Sequence, residues 1–230
     1  MSDLLNTAII ILAAILHATL QLGLGSLTLL YHESAGRNIA KKTKRLVSSF
    51  ISGVGIMVIL LLGASCFIVD RLLGNPLPQE IFYVLIGVLT ALAIIMWFFY
   101  YRRGNSTELW LPKRFALFTN RRAQSTNNDT EAFSLGLFCT FAELPIAIAP
   151  LILATSSILN TNPDYQLLQV ALYSLITVAP LLIFRLAIHT GRTAVDVQKW
   201  RLRNKTFLRL ISAAAFLALA AFIVVFKAII

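Results

Sequence analysis

The chain has 230 residues, of which 58% are hydrophobic and 13% charged, with a formal net charge of +10. Soluble domains carry about 25% charged residues, so this composition excludes an ordinary soluble enzyme or binding module and indicates an integral membrane protein. A positive balance in a soluble protein would suggest nucleic acid, but here the basic residues collect in particular loops, where they set topology, and no nucleic-acid partner is expected.

Crossing a hydrocarbon core of roughly 30 Å takes about 20 apolar residues. Six windows qualify, in chain order 4–31, 46–73, 81–101, 132–159, 167–189 and 207–229. They leave no soluble domain of ordinary size to carry catalysis, so no enzyme and no catalytic residue are expected. The first window follows Met1, Ser2 and Asp3 without a basic flank, and it is longer than a secretory apolar core. It is therefore expected to stay in place as a span.

In the first span, His17 and Gln21 stand four residues apart and so share a helical face. Gly23, Gly25 and Ser26 follow, and would allow close helix approach or local unwinding. The loop after this span holds Arg37, Lys41, Lys42, Lys44 and Arg45. Ser48, Ser49, Ser52, Gly53 and Gly55 then make a small, polar stripe on the second span, suited either to close packing or to the wall of a polar cavity. At the end of the third span Trp97, Tyr100 and Tyr101 read as an interfacial anchor.

The connection 102–131 adds Arg102, Arg103, Lys113, Arg114, Arg121 and Arg122. Residues 108–115 mix aromatic and basic side chains, a pattern that lies on the inner headgroup layer. Residues 124–130 are polar and read as mobile.

The fourth span contains the most informative residue, Glu143, within an otherwise apolar run and followed by Pro145 and Pro150. A central acid costs roughly 2.5 to 3.5 kcal/mol on insertion scales, which makes it a functional candidate. Each proline removes a backbone donor and frees a carbonyl, so both are expected to break or weaken the helix. No Lys or Arg of the chain falls at the depth of Glu143. Glu143 is therefore expected to line a substrate or ion pathway. Gln21 faces it as an amide, and His17 serves either as a proton-relay partner or in an interhelical hydrogen bond.

On the fifth span Tyr173, Ser174, Thr177 and Pro180 answer the stripe on the second, and Ser52, Ser174 and Thr177 are candidate pathway residues or packing positions. Between the fifth and sixth spans stand Arg192, Lys199, Arg201, Arg203 and Lys205. The opposite side carries Asp3, Asp70, Glu80 and Asp164. By the positive-inside rule both termini face out, and the expected location is a bacterial cytoplasmic membrane. The same basic loops would meet anionic lipid headgroups. Cys66 and Cys139 are the only cysteines, on different spans and without metal-ligand spacing, so no disulfide framework, metal site or cofactor is expected.

Sliding the chain by 122 residues lays His17 on Cys139, Gln21 on Glu143 and Ser52 on Ser174. Three spans per unit require opposite orientations, so the expected organisation is two inverted repeats, 1–101 and 132–230, joined by a cytoplasmic linker at 102–131. Gln21 and Glu143 would each lie roughly 15 Å from the inner face at 1.5 Å per residue. Inverted repeats of this kind place transporter sites near the midplane.

Leu22-Gly23-Leu24-Gly25-Ser26-Leu27 ahead of a basic loop, Phe50-Ile51-Ser52-Gly53 opening the second span, and Phe133-Ser134-Leu135-Gly136-Leu137 with Glu143-Leu144-Pro145 in the fourth carry a family likeness. The chain resembles the superfamily of six-helix membrane proteins that joins lysine and amino-acid exporters, metal-ion exporters, glycolipid-addressing proteins and the thiol-electron carriers of cytochrome c biogenesis. The resemblance implies an all-helical, pseudo-symmetric fold of three plus three spans, with both termini outside, and export of a small solute. The thiol carriers place a cysteine close before a proline in both corresponding helices, whereas here the first span has none and Cys139 lies six residues before Pro145.

The expected function is thus a proton- or cation-linked secondary transporter, an exporter of a small solute or ion. The alternatives are a non-transporting membrane subunit or assembly factor that pairs with another membrane protein, a transporter of lipid or lipid-linked substrates, and a redox protein using both cysteines. A second copy of the chain or another membrane protein is the expected kind of protein partner.

Overall fold

The computed structural model describes residues 2–19, 37–74, 77–99, 113–189, 199 and 203–229. Among the described residues seven α-helices follow one another: α1 Ser2–Thr19, α2 Arg37–Ile68, α3 Gln79–Phe99, α4 Lys113–Ser125, α5 Asp129–Leu159, α6 Pro163–His189 and α7 Lys205–Ile229. No strand occurs among the described residues.

Five of these helices are long and apolar enough to cross a membrane, over Lys42–Leu73, Gln79–Phe98, Asp129–Leu159, Pro163–Leu186 and Thr206–Val225. They coincide with five of the six expected windows. The apolar stretch of α1, Asp3–Thr19, is shorter, and the remainder of the first window lies outside the described residues.

Local chemistry explains the helix ends. The last turn of α2 widens into a π-turn over Val69–Leu73 and stops at Gly74, whose φ of 85° suits a residue without a Cβ. The α5 start is a reciprocal cap. Asn128 Oδ1 accepts from the Glu131 backbone N–H at 2.8 Å, and Glu131 Oε2 accepts from the Asn127 N–H at 3.0 Å. Asp129 and Glu131 also place negative charge at the positive end of the helix dipole. Within the polar segment 124–130, Gln124 and Ser125 close α4, Asp129 and Thr130 open α5, and 126–128 connect the two. Composition registers the polarity of such residues but not the hydrogen bonds that spend it on capping.

Between α5 and α6 only three residues intervene, and Pro163 sits at the first position of α6, where its missing N–H is tolerated. A connection this short makes the two helices antiparallel neighbours.

α5 is the most enclosed of the long helices and packs against α1, α2 and α6, with α4 across its first turns. α1 also packs on α6 and α7, α2 on α6, and α3 on α7. The tightest crossing joins α2 to α5. A Cβ added at Gly53 would stand 2.2 Å from Phe133 O, and one at Gly136 would stand 2.2 Å from Phe50 O. Each glycine therefore lets the other helix's backbone approach, as small residues do in membrane bundles. Arg45 pairs with Asp129 beside the same ends, so α2 and α5 run parallel.

The exterior is apolar. Ile59, Leu60, Phe67, Val84, Ile94, Phe98, Leu168, Leu175, Ile183 and Val225 are exposed on α2, α3, α6 and α7. A water-soluble protein rarely shows so much contiguous apolar surface, whereas a bilayer requires it.

Candidate functional site

Three helices meet around one buried polar group. On α6, Gln169, Tyr173 and Thr177 recur every four residues and are all buried, which places them along one helical face. On α1, Asn6, Ile10, Ala13 and His17 follow helical spacing and are buried too. Glu143, at the midpoint of α5, is 3% exposed.

His17 is the joint between them. Its Nδ1 lies 2.9 Å from Tyr173 Oη, and its Nε2 lies 3.8 Å from Glu143 Oε2. The His17 and Tyr173 rings are tilted 54° to each other, with centroids 5.9 Å apart. The 3.8 Å separation is within ion-pair range but longer than a hydrogen bond, and Nε2 has no hydrogen-bond partner. Two tautomers fit. In one, Tyr173 Oη–H donates to Nδ1 and the Nε2 proton faces Glu143. In the other, Nδ1–H donates to Tyr173 Oη and Nε2 offers Glu143 a lone pair.

A second polar set ties the far ends of the same helices. Gln169 Nε2 donates to Thr7 Oγ1 at 2.7 Å, and Asn6 Nδ2 donates to Asn160 O at 3.3 Å. Gln169 and Asn6 are both buried, and Gln169 Oε1 has no hydrogen-bond partner.

The remaining expected positions are distributed as follows. Thr177 and Ser174 are buried on α6, Thr177 one turn beyond Tyr173 on the same face. Ser52 is exposed on α2 and so is not gathered with the buried set. Pro145 is exposed and Pro150 buried. The expectation that these prolines interrupt the helix needs correction: α5 runs continuously from Asp129 to Leu159 through both. Each removes only one backbone donor, and the turns on either side keep the helix path. Gln21, Gly23 and Gly25 lie outside the described residues.

Tyr173 is the site residue that sequence reasoning undervalued, as one polar position in a packing stripe. Its signal was the spacing of Gln169, Tyr173 and Thr177 along one face, which resembles ordinary packing until a histidine is seen against it. Among the described residues no group of three or more His, Cys, Asp or Glu side chains could hold a metal ion. The chemistry on hand is an imidazole with a phenol at one nitrogen and a carboxyl at the other, a set able to bind a proton. Comparison of the chain with protein-family models, curated proteins and solved structures finds no match.

Proposed function

We propose that this chain is a proton- or cation-linked secondary transporter, an exporter of a small solute, in which Glu143 and His17 take up and release the coupling proton or cation. The observation that carries this reading is the approach of His17 Nε2 to Glu143 Oε2 at 3.8 Å, with both side chains buried at a three-helix junction. Ionisable groups inside a membrane bundle are expensive to keep, and their usual return is a solute or proton route.

The proposed architecture is six spans in two inverted repeats, 1–101 and 132–230, of the lysine-exporter and cytochrome-c-biogenesis kind, in a bacterial cytoplasmic membrane with both termini outside. Helix pairing supports it: α1 packs on α6 as α5 packs on α2, and α1–α5, α2–α6 and α3–α7 are each in contact. An exchange of halves would produce that pattern. Alternating access then rocks one repeat against the other around the pair. A proton held between Glu143 and His17 leaves to the open side as a cationic group takes its place beside the carboxylate. Rebinding from the other side resets the pair.

The test is proton movement in proteoliposomes loaded with a pH dye and challenged with pools of amino acids, divalent metal ions and lipid headgroup analogues. A solute-dependent proton flux in the wild type that disappears in Glu143→Gln supports the reading. Absence of flux from folded wild type with every pool overturns it.

A further inference from the structure

α4 lies across the first turns of α5 with Thr119 and Ala123 buried on it, and Thr126, just past its end, is buried too. Phe118 and Arg122, four residues apart and so on one flank of the helix, stay exposed. Between this flank and α5 lies a cavity of about 370 Å³ with two chemically distinct walls. Phe118, Leu135 and Phe138 form the apolar wall, with the two phenyl rings edge to face at 5.4 Å. Arg122 and Glu131 stand at the polar wall.

The two charges do not cancel. Among the described residues Arg122 makes no salt bridge. Glu131 is turned to the capping of α5, where Oε2 accepts the Asn127 N–H and the helix dipole offsets its charge. The guanidinium remains available as a planar fork of donors, the geometry that suits a phosphate. Lys42 and Lys44 stand exposed near the α2 start, beside the beginning of α5, and add positive charge at this end of the bundle, where Arg45 is already paired with Asp129.

We infer that the groove between α4 and α5 binds one anionic phospholipid, its phosphate on Arg122 and its acyl chain along Phe118 and Phe138. A free anion would satisfy the guanidinium but leave the aromatic wall without a partner, and a zwitterionic phosphatidylcholine would bring its phosphate together with a quaternary ammonium that the neighbouring lysines repel. This inference needs only a membrane location and is independent of transport.

Purified full-length protein in mild detergent, mixed with phosphatidylglycerol or phosphatidylcholine and then stripped of loose lipid, is read by native mass spectrometry. The expected result is one retained phosphatidylglycerol on the wild type. Arg122→Gln lowers that retention about tenfold, the scale of a charge-assisted hydrogen bond, and Phe138→Ala also lowers it. Arg203→Gln, a change at another exposed basic position, leaves it as in the wild type. Equal retention of phosphatidylcholine, unchanged retention in Arg122→Gln, or displacement of the lipid by inorganic phosphate alone would each overturn the inference.

Discussion

His17 Nε2 and Glu143 Oε2 face each other at 3.8 Å from two helices, and each side chain is almost wholly shielded. In water such a separation carries about 1 kcal/mol of attraction, but a low-dielectric interior multiplies it. An unpaired charge there is strongly disfavoured. The two side chains are therefore placed to act together, and Tyr173 Oη, 2.9 Å from Nδ1, holds the other nitrogen of the same ring.

Tyr173→Phe removes the phenol oxygen and keeps the ring. His17 Nδ1 then loses its buried partner, so the variant is expected to fold but to unfold about 1 kcal/mol more readily, the scale of one hydrogen bond. Because Nδ1 loses its hydrogen-bond partner in either tautomer, the pH profile of solute-driven proton flux should change shape as well. Thermal unfolding in detergent checks the first effect, and flux across a pH series checks the second. A lowered stability with an unaltered profile would reduce Tyr173 to packing.

The Gly53 and Gly136 crossing leaves no room for a methyl group. Gly53→Ala and Gly136→Ala should each destabilise the bundle by about 1–3 kcal/mol through overpacking against backbone. Gly63, where an added Cβ meets nothing within 4 Å, should accept alanine without loss. Melting temperatures of the three variants in one detergent decide the matter. Wild-type stability of Gly136→Ala would show that the two helices can separate freely.

The ties between Gln169 and Thr7 and between Asn6 and Asn160 hold the ends of α1, α5 and α6 together. Gln169→Leu should loosen that end and raise the labelling of a cysteine placed at Ala13, which is fully buried. The measurement uses a membrane-impermeant thiol reagent on a protein whose Cys66 and Cys139 have been changed to serine. Labelling that stays at the background level would mean that these hydrogen bonds do not guard the junction.

Much of this architecture is legible in the sequence because a bilayer imposes a plain rule, length without charge, and five apolar windows became the five long helices. Glu143 was legible for the same reason, since it breaks the rule. The partnership of His17 with Tyr173 was not, because it joins residues 156 positions apart and depends on which faces of α1 and α6 meet. Ser52 shows the limit of the repeat argument. An offset aligns positions along the chain but not faces around a helix, and the same shift that matched Ser52 to Ser174 left one exposed and the other buried. Of the aromatic and basic stretch 108–115, residues 108–112 lie outside the described residues, and the capping at Asn128 that opens α5 needed atomic contacts to be seen.

The most direct test of the central claim is a double-mutant cycle on flux, with wild type, Glu143→Gln, His17→Gln and the double variant reconstituted side by side. Residues that act as a unit are strongly non-additive. Either single change should abolish solute-dependent proton movement, and the double variant should be no worse than the singles. Full flux in Glu143→Gln, or losses in the two single variants that simply add in the double, would contradict a shared proton site at His17 and Glu143.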